Sequence, residues 1–275
     1  MLDPIQSAVH KRVSSGDFAV PLLPGVITEV MTLANDPDAP VRRLSDLIHR
    51  DPGLAAHVLR VANSPAFCPV GGVVSLQQAV SRLGMKLVRD ITAAAVLSRS
   101  VFKEREGFPQ FAELRDHSLA TGLWARSVAR LCRVSVESAF LAGLLNRVGA
   151  AVALGEAVRI SREDGFELTP TALDRIIKDA ELPLGVKVAQ TWRMPLPVLA
   201  AIAYRPNPLA ATRARHAVLI TALASRMADV MAERADLDDV ADSDVVYALQ
   251  LYPEDVDELL EESDTVRATM RSMSR

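Results

Sequence analysis

Apolar residues recur every three or four positions along most of this chain, which is the spacing of one buried face of an α-helix. The spacing predicts a short helix within residues 1–20, and then helices at about 24–35, 41–48, 52–62, 76–83 and 86–100. Residues 111–149 are predicted to form two helices joined by a short turn. Further helices are predicted at about 171–180, 184–192, 197–204 and 210–233. Because no strand-like alternation is evident, the pattern indicates an all-α protein.

Residues that cap helices fall at the predicted ends. Asp51 suits an N-cap position, and Pro52 suits the first helical position. Ser75 and Gln78 have the spacing of a capping box. Gly84 is predicted to end one helix as a C-cap. These signals predict several short helices joined by tight turns.

A break at residues 107–109, which read Gly-Phe-Pro, predicts a boundary between two packed helical sub-bundles. The predicted organisation is a helix and linker over 1–20, a first sub-bundle over 21–106, a second over 107–235, and acidic helices over 236–275. The last segment has 12 Asp and Glu and no Lys or Arg between 236 and 264. Its apolar residues predict two short amphipathic helices, the second starting at Pro253. These helices could dock a partner or pack against the bundle.

Composition narrows the class of protein. The 275 residues are 49% hydrophobic, which suffices for a large core, and the net charge of −3 is not that of a dedicated nucleic-acid binder. Cys68 and Cys132 stand apart, so neither a disulfide framework nor a zinc cluster is indicated. The N-terminus does not resemble a signal peptide, and no uncharged stretch reads as a membrane helix. A cytoplasmic protein is therefore expected.

Eight short segments together resemble the HDOD family, bacterial signalling domains related in fold to the HD-type metal phosphohydrolases. They are LLPGV at 22–26, NDPD at 35–38, LIHRDPGL at 47–54, LRVANSP at 59–65 with Phe67, SLQQAV at 75–80, RLG at 82–84, HSLA at 117–120 and ESAFLAGLL at 137–145. The resemblance covers roughly residues 20–265. It implies a bundle of two packed helical sub-bundles.

The resemblance also implies where a metal site would lie, and the chain departs from it there. The family's usual Leu-Leu-His-Asp-Ile-Gly is replaced by a segment with Asn146 and Arg147 at the His-Asp positions. Glu181 lies in a region where the family often has His, Arg205-Pro206 replaces a frequent His-His, and Ser225 is aligned with a late Asp. Under this alignment only His117 of the ligand set remains, so no metal and no other cofactor is expected.

Four residues are therefore the candidate binding site, a vestigial pocket made of His117, Asn146, Arg147 and Glu181. His117 is either a hydrogen-bonded core residue or a ligand contact. Arg147 either lies in solvent at a helix end or pairs with a carboxylate such as Glu181. Both alternatives are open at this point.

The function expected from these observations is a non-catalytic regulatory domain in bacterial signal transduction. It would act through signalling proteins whose identity the sequence does not give, or by sensing a small anionic or nucleotide ligand, and it could self-associate. One alternative is a metal-dependent phosphohydrolase of the HD superfamily, which the missing ligands disfavour. A second is a DNA-binding regulator, because residues 75–94 resemble a helix-turn-helix. Asp90 in the second of these helices argues against it.

Overall fold

The computed structural model describes residues 4–18, 20–21, 25, 29, 41–63, 72–102 and 108–274. Within these residues the regular elements are helices, which confirms the all-α prediction. The helices are α1 Pro4–Ser15, α2 Val41–His49, α3 Pro52–Ala62, α4 Leu76–Ser100, α5 Gln110–Leu131, α6 Val136–Leu145, α7 Val148–Asp164, α8 Pro170–Thr191, α9 Leu196–Ala203, α10 Arg215–Met231, α11 Leu237–Ala241, α12 Asp244–Ala248, α13 Pro253–Glu261 and α14 Ser263–Ser274, with a 3₁₀ turn at Pro208–Ala210.

The predicted caps of the first helices are present. The Asp51 carboxylate accepts a hydrogen bond from the Leu54 amide at 3.0 Å, at the start of α3. Ser75 caps α4, but the Gln78 side chain bonds the Val74 amide rather than the Ser75 amide, so the capping box is only half formed. Gly84 has φ 79° and bends α4 into two segments, close to the predicted helix end.

The second part of the chain forms the site-bearing bundle. Helices α5, α6 and α10 pack against one another, α7 packs along α8, and α9 lies against α6, α8 and α10. A continuous hydrophobic cluster connects these helices to α2–α4 and to the C-terminal helices. Trp124 and Phe140 are among its largest fully buried side chains.

Helix α1 docks on this second bundle. Ile5 and Val9 are buried, and the Gln6 side-chain amide donates a hydrogen bond of 2.8 Å to Asp179 on α8. Arg12 forms an ion pair of 3.1 Å with Glu163 on α7. The N-terminal helix is thus an integral part of the packing.

Two predicted helix boundaries and the predicted number of helices in the acidic tail are wrong. Pro183 does not separate two helices, because α8 runs from Pro170 to Thr191 with the proline inside it. A proline removes one helical hydrogen bond, and burial of the neighbouring Leu184 holds the helix together across it. Helix α10 begins at Arg215 rather than near 210, since Ala214 adopts φ 49°. Two helices are predicted between residues 236 and 264, whereas the chain forms α11, α12 and α13 there and begins α14 at Ser263. The predicted helix start at Pro253 is confirmed.

Several predicted features lie outside the described residues. They are most of the helix at 24–35, the turn at 36–40, the Ser64-Pro65 helix stop and Phe67.

One apolar stretch within the described chain, Ser138–Asp164, has the length and composition of a membrane-crossing helix. Of its most apolar part, 78% is buried inside the protein. The stretch consists of α6 and α7, which meet at Asn146 and Arg147.

Candidate functional site

His117 lies in the middle of α5 and is buried. Its Nε2 is 3.2 Å from a carboxylate oxygen of Asp229 on α10. Its Nδ1 is 3.4 Å from the Thr121 hydroxyl, and that hydroxyl donates a 2.8 Å hydrogen bond to the His117 carbonyl. Both ring nitrogens therefore face protein groups, as expected for a hydrogen-bonded core histidine.

The alignment that placed Ser225 at the late acidic position is corrected by this contact. Asp229 is the acidic side chain that faces His117, one helical turn beyond Ser225. Positions four residues apart lie on the same helix face, so the sequence also allowed this alternative register. His117 and Asp229, two residues whose side chains can bind metals, are thus in contact.

Asn146 is the C-cap residue of α6 and is 1% exposed. Neither its side-chain oxygen nor its side-chain nitrogen has a hydrogen-bond partner among the residues that the structure describes. A buried polar group without a partner typically costs about 1–3 kcal/mol. The residue at the family's His position is therefore accommodated at a cost in stability.

Arg147, at the family's Asp position, is the N-cap of α7 and reaches across to α8. Its Nε donates to one oxygen of Glu181 at 3.0 Å, and its Nη2 donates to the other oxygen at 3.4 Å. Glu181 is 5% exposed. Of the two alternatives for Arg147, the structure contains the pairing with Glu181.

Arg205, just beyond α9, is a third member that the sequence reasoning did not include in the site. Its Nη2 lies 2.6 Å from Glu181 Oε2. Burial lowers the pKa of Arg205, as does the neighbouring Arg147 cation, while Glu181 acts in the opposite direction. We refer to Arg147, Glu181 and Arg205 as the arginine–glutamate triad. A signal was available, because all three residues occupy regions where the family often carries metal ligands.

A close approach of two helix backbones places Glu181 beside Arg147. Gly149, in the first turn of α7, lies against α8, and a Cβ atom built on it would be 1.9 Å from the Glu181 carbonyl oxygen and 2.6 Å from the Gly185 nitrogen. Only glycine fits this contact. The glycine that follows Arg147 therefore lets α7 begin directly against the part of α8 that carries the carboxylate.

A cleft of about 360 Å³ opens beside the triad. All three members of the triad line it, and so do the following residues of α5, α8 and the segment after α10: Gln110, Glu113, Leu114, Asp174, Ile177, Lys178 and Arg234. Four of the lining side chains are cationic and three are acidic. His117 and Asn146 do not line the cleft, so the four predicted site residues do not share one pocket.

The residues at the family's metal position do not fit a metal ion. In the described part of the chain, no three His, Cys, Asp or Glu side chains converge as metal ligands would. His117 and Asp229 make a pair, whereas a protein zinc site uses three or four side-chain ligands. Arg147 adds a fixed positive charge next to the position of Asn146, because arginine does not deprotonate in proteins.

The helix-turn-helix interpretation of residues 75–94 does not agree with the packing. The second half of α4 is buried throughout residues 87–97. Asp90 lies in this buried segment, 3.6 Å from the Arg126 guanidinium. A helix that reads DNA must expose one face to the groove, and residues 87–97 expose none.

Three solved structures share this arrangement of helices at low sequence identity. An HDOD domain protein of unknown function from Geobacter sulfurreducens has a TM-score of 0.78 at 20% identity, covering 97% of each chain. A protein of Shewanella amazonensis, provisionally assigned as a metal-dependent phosphohydrolase, has a TM-score of 0.74 at 17% identity. The match covers 97% of this chain and 98% of the other. A provisionally assigned signal transduction protein of Marinobacter aquaeolei has a TM-score of 0.69 at 24% identity. The match covers 93% of this chain and 60% of the other. These similarities define the fold class.

The family follows from the sequence itself. The model of the HDOD domain matches residues 20–208, so the chain belongs to the HDOD family. A curated relative, an uncharacterized protein of Treponema pallidum, is 26% identical over 202 residues. The match covers 68% of this chain and 38% of the length of that relative.

Proposed function

We propose that this protein is a regulatory domain of bacterial signal transduction that performs no metal-dependent hydrolysis. The observation that supports the proposal most directly is the guanidinium of Arg147 at the family's Asp position. It is engaged by a buried carboxylate that it shares with Arg205. The HDOD family membership supports the signalling role.

The charge of Arg147 disfavours a divalent cation at this position. Even a single positive charge about 4 Å from another is opposed by roughly 4 kcal/mol at an effective dielectric constant of 20, and a divalent ion is opposed by about twice as much. Turning Arg147 away would break its two hydrogen bonds to Glu181. Metal binding would thus have to overcome both the repulsion and the loss of this pair.

The domain would act by binding other signalling proteins, and a ligand in the cleft would regulate that binding. The triad joins the start of α7, the middle of α8 and the end of α9. A ligand that contacts the triad would therefore favour one relative placement of these helices. A bound ligand can shift a conformational equilibrium only by its difference in affinity for the two states.

An HD-type phosphohydrolase is the second candidate, because His117 and Asp229 retain ligand chemistry at 3.2 Å. We would purify the protein without chelators, determine its metal content by mass spectrometry, and assay hydrolysis of bis(p-nitrophenyl) phosphate with added Mn²⁺, Mg²⁺ or Zn²⁺. The proposed function predicts metal well below one equivalent and no turnover above background. Stoichiometric metal, together with turnover that His117→Ala abolishes, would establish the enzyme instead.

A variant that regains two metal-ligand residues tests whether residues 146 and 147 account for the absence of metal binding. Asn146→His combined with Arg147→Asp restores the His-Asp pair of the family in a chain that keeps His117 and Asp229. We expect this double variant to take up more metal than the native protein under identical loading. Equal metal content of the two folded proteins would show that residues 146 and 147 do not account for the missing metal affinity.

A further inference from the structure

We infer that the cleft beside the arginine–glutamate triad is a binding site for a small phosphate monoester, held by Arg147, Arg205 and Lys178. The inference rests on the proposed function, because the guanidinium groups would here bind the anion without a metal. It adds the chemical class of the ligand, and it adds Arg205 and Lys178 as binding residues.

The first support is an excess of positive charge in the triad. Two guanidinium groups share the single carboxylate of Glu181, so among the described residues one positive charge of the triad has no carboxylate of its own. The side chains of Arg147 and Arg205 are 24% and 35% exposed, so their charges are only partly solvated. An anion in the cleft would supply the missing charge.

The second support is the number of free hydrogen-bond donors. A guanidinium has five N–H groups. Glu181 takes Nε and one Nη2 hydrogen of Arg147 and is the only ionic partner of Arg205 among the described residues. Both side chains line the cleft. Forked N–H donors of arginine match the oxygens of a phosphate group well.

Lys178 provides a third cation that lines the cleft. It lies on α8 one turn before Glu181, is exposed, lines the cleft, and forms no ion pair with the described residues. The fourth lining cation, Arg234, is 3.6 Å from Glu113, and both are exposed. Arg147, Arg205 and Lys178, none of which has a carboxylate partner of its own among the described residues, therefore line the same cleft.

Asp174 narrows the class of ligand. It also lines the cleft, one turn before Lys178 on α8, and would repel a ligand that is anionic throughout. A ligand with hydroxyl or amino groups beyond its phosphate could donate hydrogen bonds to this carboxylate. The volume of about 360 Å³ lies near the lower end of small-molecule sites, which range from roughly 300 to 1,000 Å³. Sugar phosphates and nucleoside monophosphates have this size and chemistry.

The test uses the full chain with three probes, inorganic phosphate, glucose 6-phosphate and AMP, titrated by ³¹P NMR and calorimetry in low-salt buffer. We expect saturable binding of at least one phosphate monoester, weakened by added NaCl. Arg205→Gln should weaken it about tenfold or more, because hydrogen bonds to charged groups are worth about that factor or greater. Lys178→Gln should weaken it several-fold, while Arg205→Lys should retain part of the affinity.

Arg175→Gln is the matched control. It removes an exposed cation from α8 that does not line the cleft, so binding should be unchanged. Circular dichroism would verify that each variant is folded, and Lys178→Gln tests the site without touching the triad. Absence of saturable binding up to about 10 mM probe, which corresponds to a binding free energy weaker than about −3 kcal/mol, would overturn the inference. Equal losses in Arg175→Gln and Lys178→Gln would overturn it as well. Release of inorganic phosphate in the same NMR spectra would instead contradict the proposed function.

Discussion

The arginine–glutamate triad makes a quantitative prediction about non-additive stability. Glu181 is buried and has two cationic partners, Arg147 at 3.0 Å and Arg205 at 2.6 Å. We consider Arg147→Met, Arg205→Met and the double variant. Methionine keeps most of the aliphatic packing of arginine and removes its charge.

Each single substitution leaves the Glu181 carboxylate with one guanidinium. The lost interaction is an ion pair with Glu181, which is hydrogen-bonded in the case of Arg147. The arginine side chains are 24% and 35% exposed, so solvent screens both pairs. We therefore expect each single variant to lose about 1–2 kcal/mol of the free energy of unfolding. The double variant leaves a buried carboxylate with no cation, a change that typically costs about 3–5 kcal/mol or more. The double loss should exceed the sum of the single losses by about 1 kcal/mol or more.

The measurement is urea unfolding followed by far-UV circular dichroism, with all three variants and the native protein in one buffer. Arg175→Gln serves as the control for removal of a surface charge from α8 and should change the free energy of unfolding by less than about 0.5 kcal/mol. Glu181→Gln should be more destabilising than either single arginine variant, since it brings two guanidiniums together without a carboxylate. Additive losses, or an Arg147→Met loss no larger than that of the control, would refute the placement of a shared buried carboxylate.

Three other predictions concern residues near the site or the acidic tail. Asn146→Leu removes a buried amide that has no partner among the described residues and should raise the free energy of unfolding by about 1 kcal/mol. A lower melting temperature would contradict this prediction. Gly149→Ala places a Cβ 1.9 Å from the Glu181 carbonyl oxygen and should lower the free energy of unfolding by more than about 3 kcal/mol, measured by urea unfolding; a near-native midpoint would contradict this contact. Burial raises the pKa of Cys132, and the charge of Asp255 raises it further. In a Cys68→Ser variant, alkylation of Cys132 at pH 8 should therefore be slower in the folded protein than in the urea-unfolded protein, and it should accelerate only at higher pH. Equal alkylation rates would argue against the burial of Cys132.

Much of the fold could be predicted because its signals are local. A cap such as Asp51 or Ser75 acts within one turn, and the period of apolar residues reports burial without knowledge of the partner helix. Pro183 shows where local reasoning fails. The local rule predicts a break, whereas packing of buried residues on both sides keeps α8 continuous.

The site could be predicted only in part because its contacts join distant segments. Pairing of Arg147 with Glu181 was one of two open alternatives, since the sequence does not fix the direction of a long side chain at a helix start. Arg205 was recognised as a substitution but not as a partner of the same carboxylate. The Asp229 contact was missed because an offset of one helical turn preserves the face of α10 and leaves the sequence alignment undecided.

The substitutions at the family's ligand positions are best understood together. A metal in an HD-type site links several helices through one cation. Here Glu181 on α8 forms ion pairs with Arg147 at the start of α7 and with Arg205 just beyond α9, and hydrogen bonds with Arg147. His117 and Asp229 link α5 to α10. A change of Asp to Arg alone would place an unpaired cation in the bundle, but the carboxylate at 181 compensates it. Arg205 adds a second positive charge to the same carboxylate, which is more than the pairing of Arg147 requires. Replacing the structural role of a metal does not explain this additional charge. Binding of an external anion in the cleft that both arginines line would explain it.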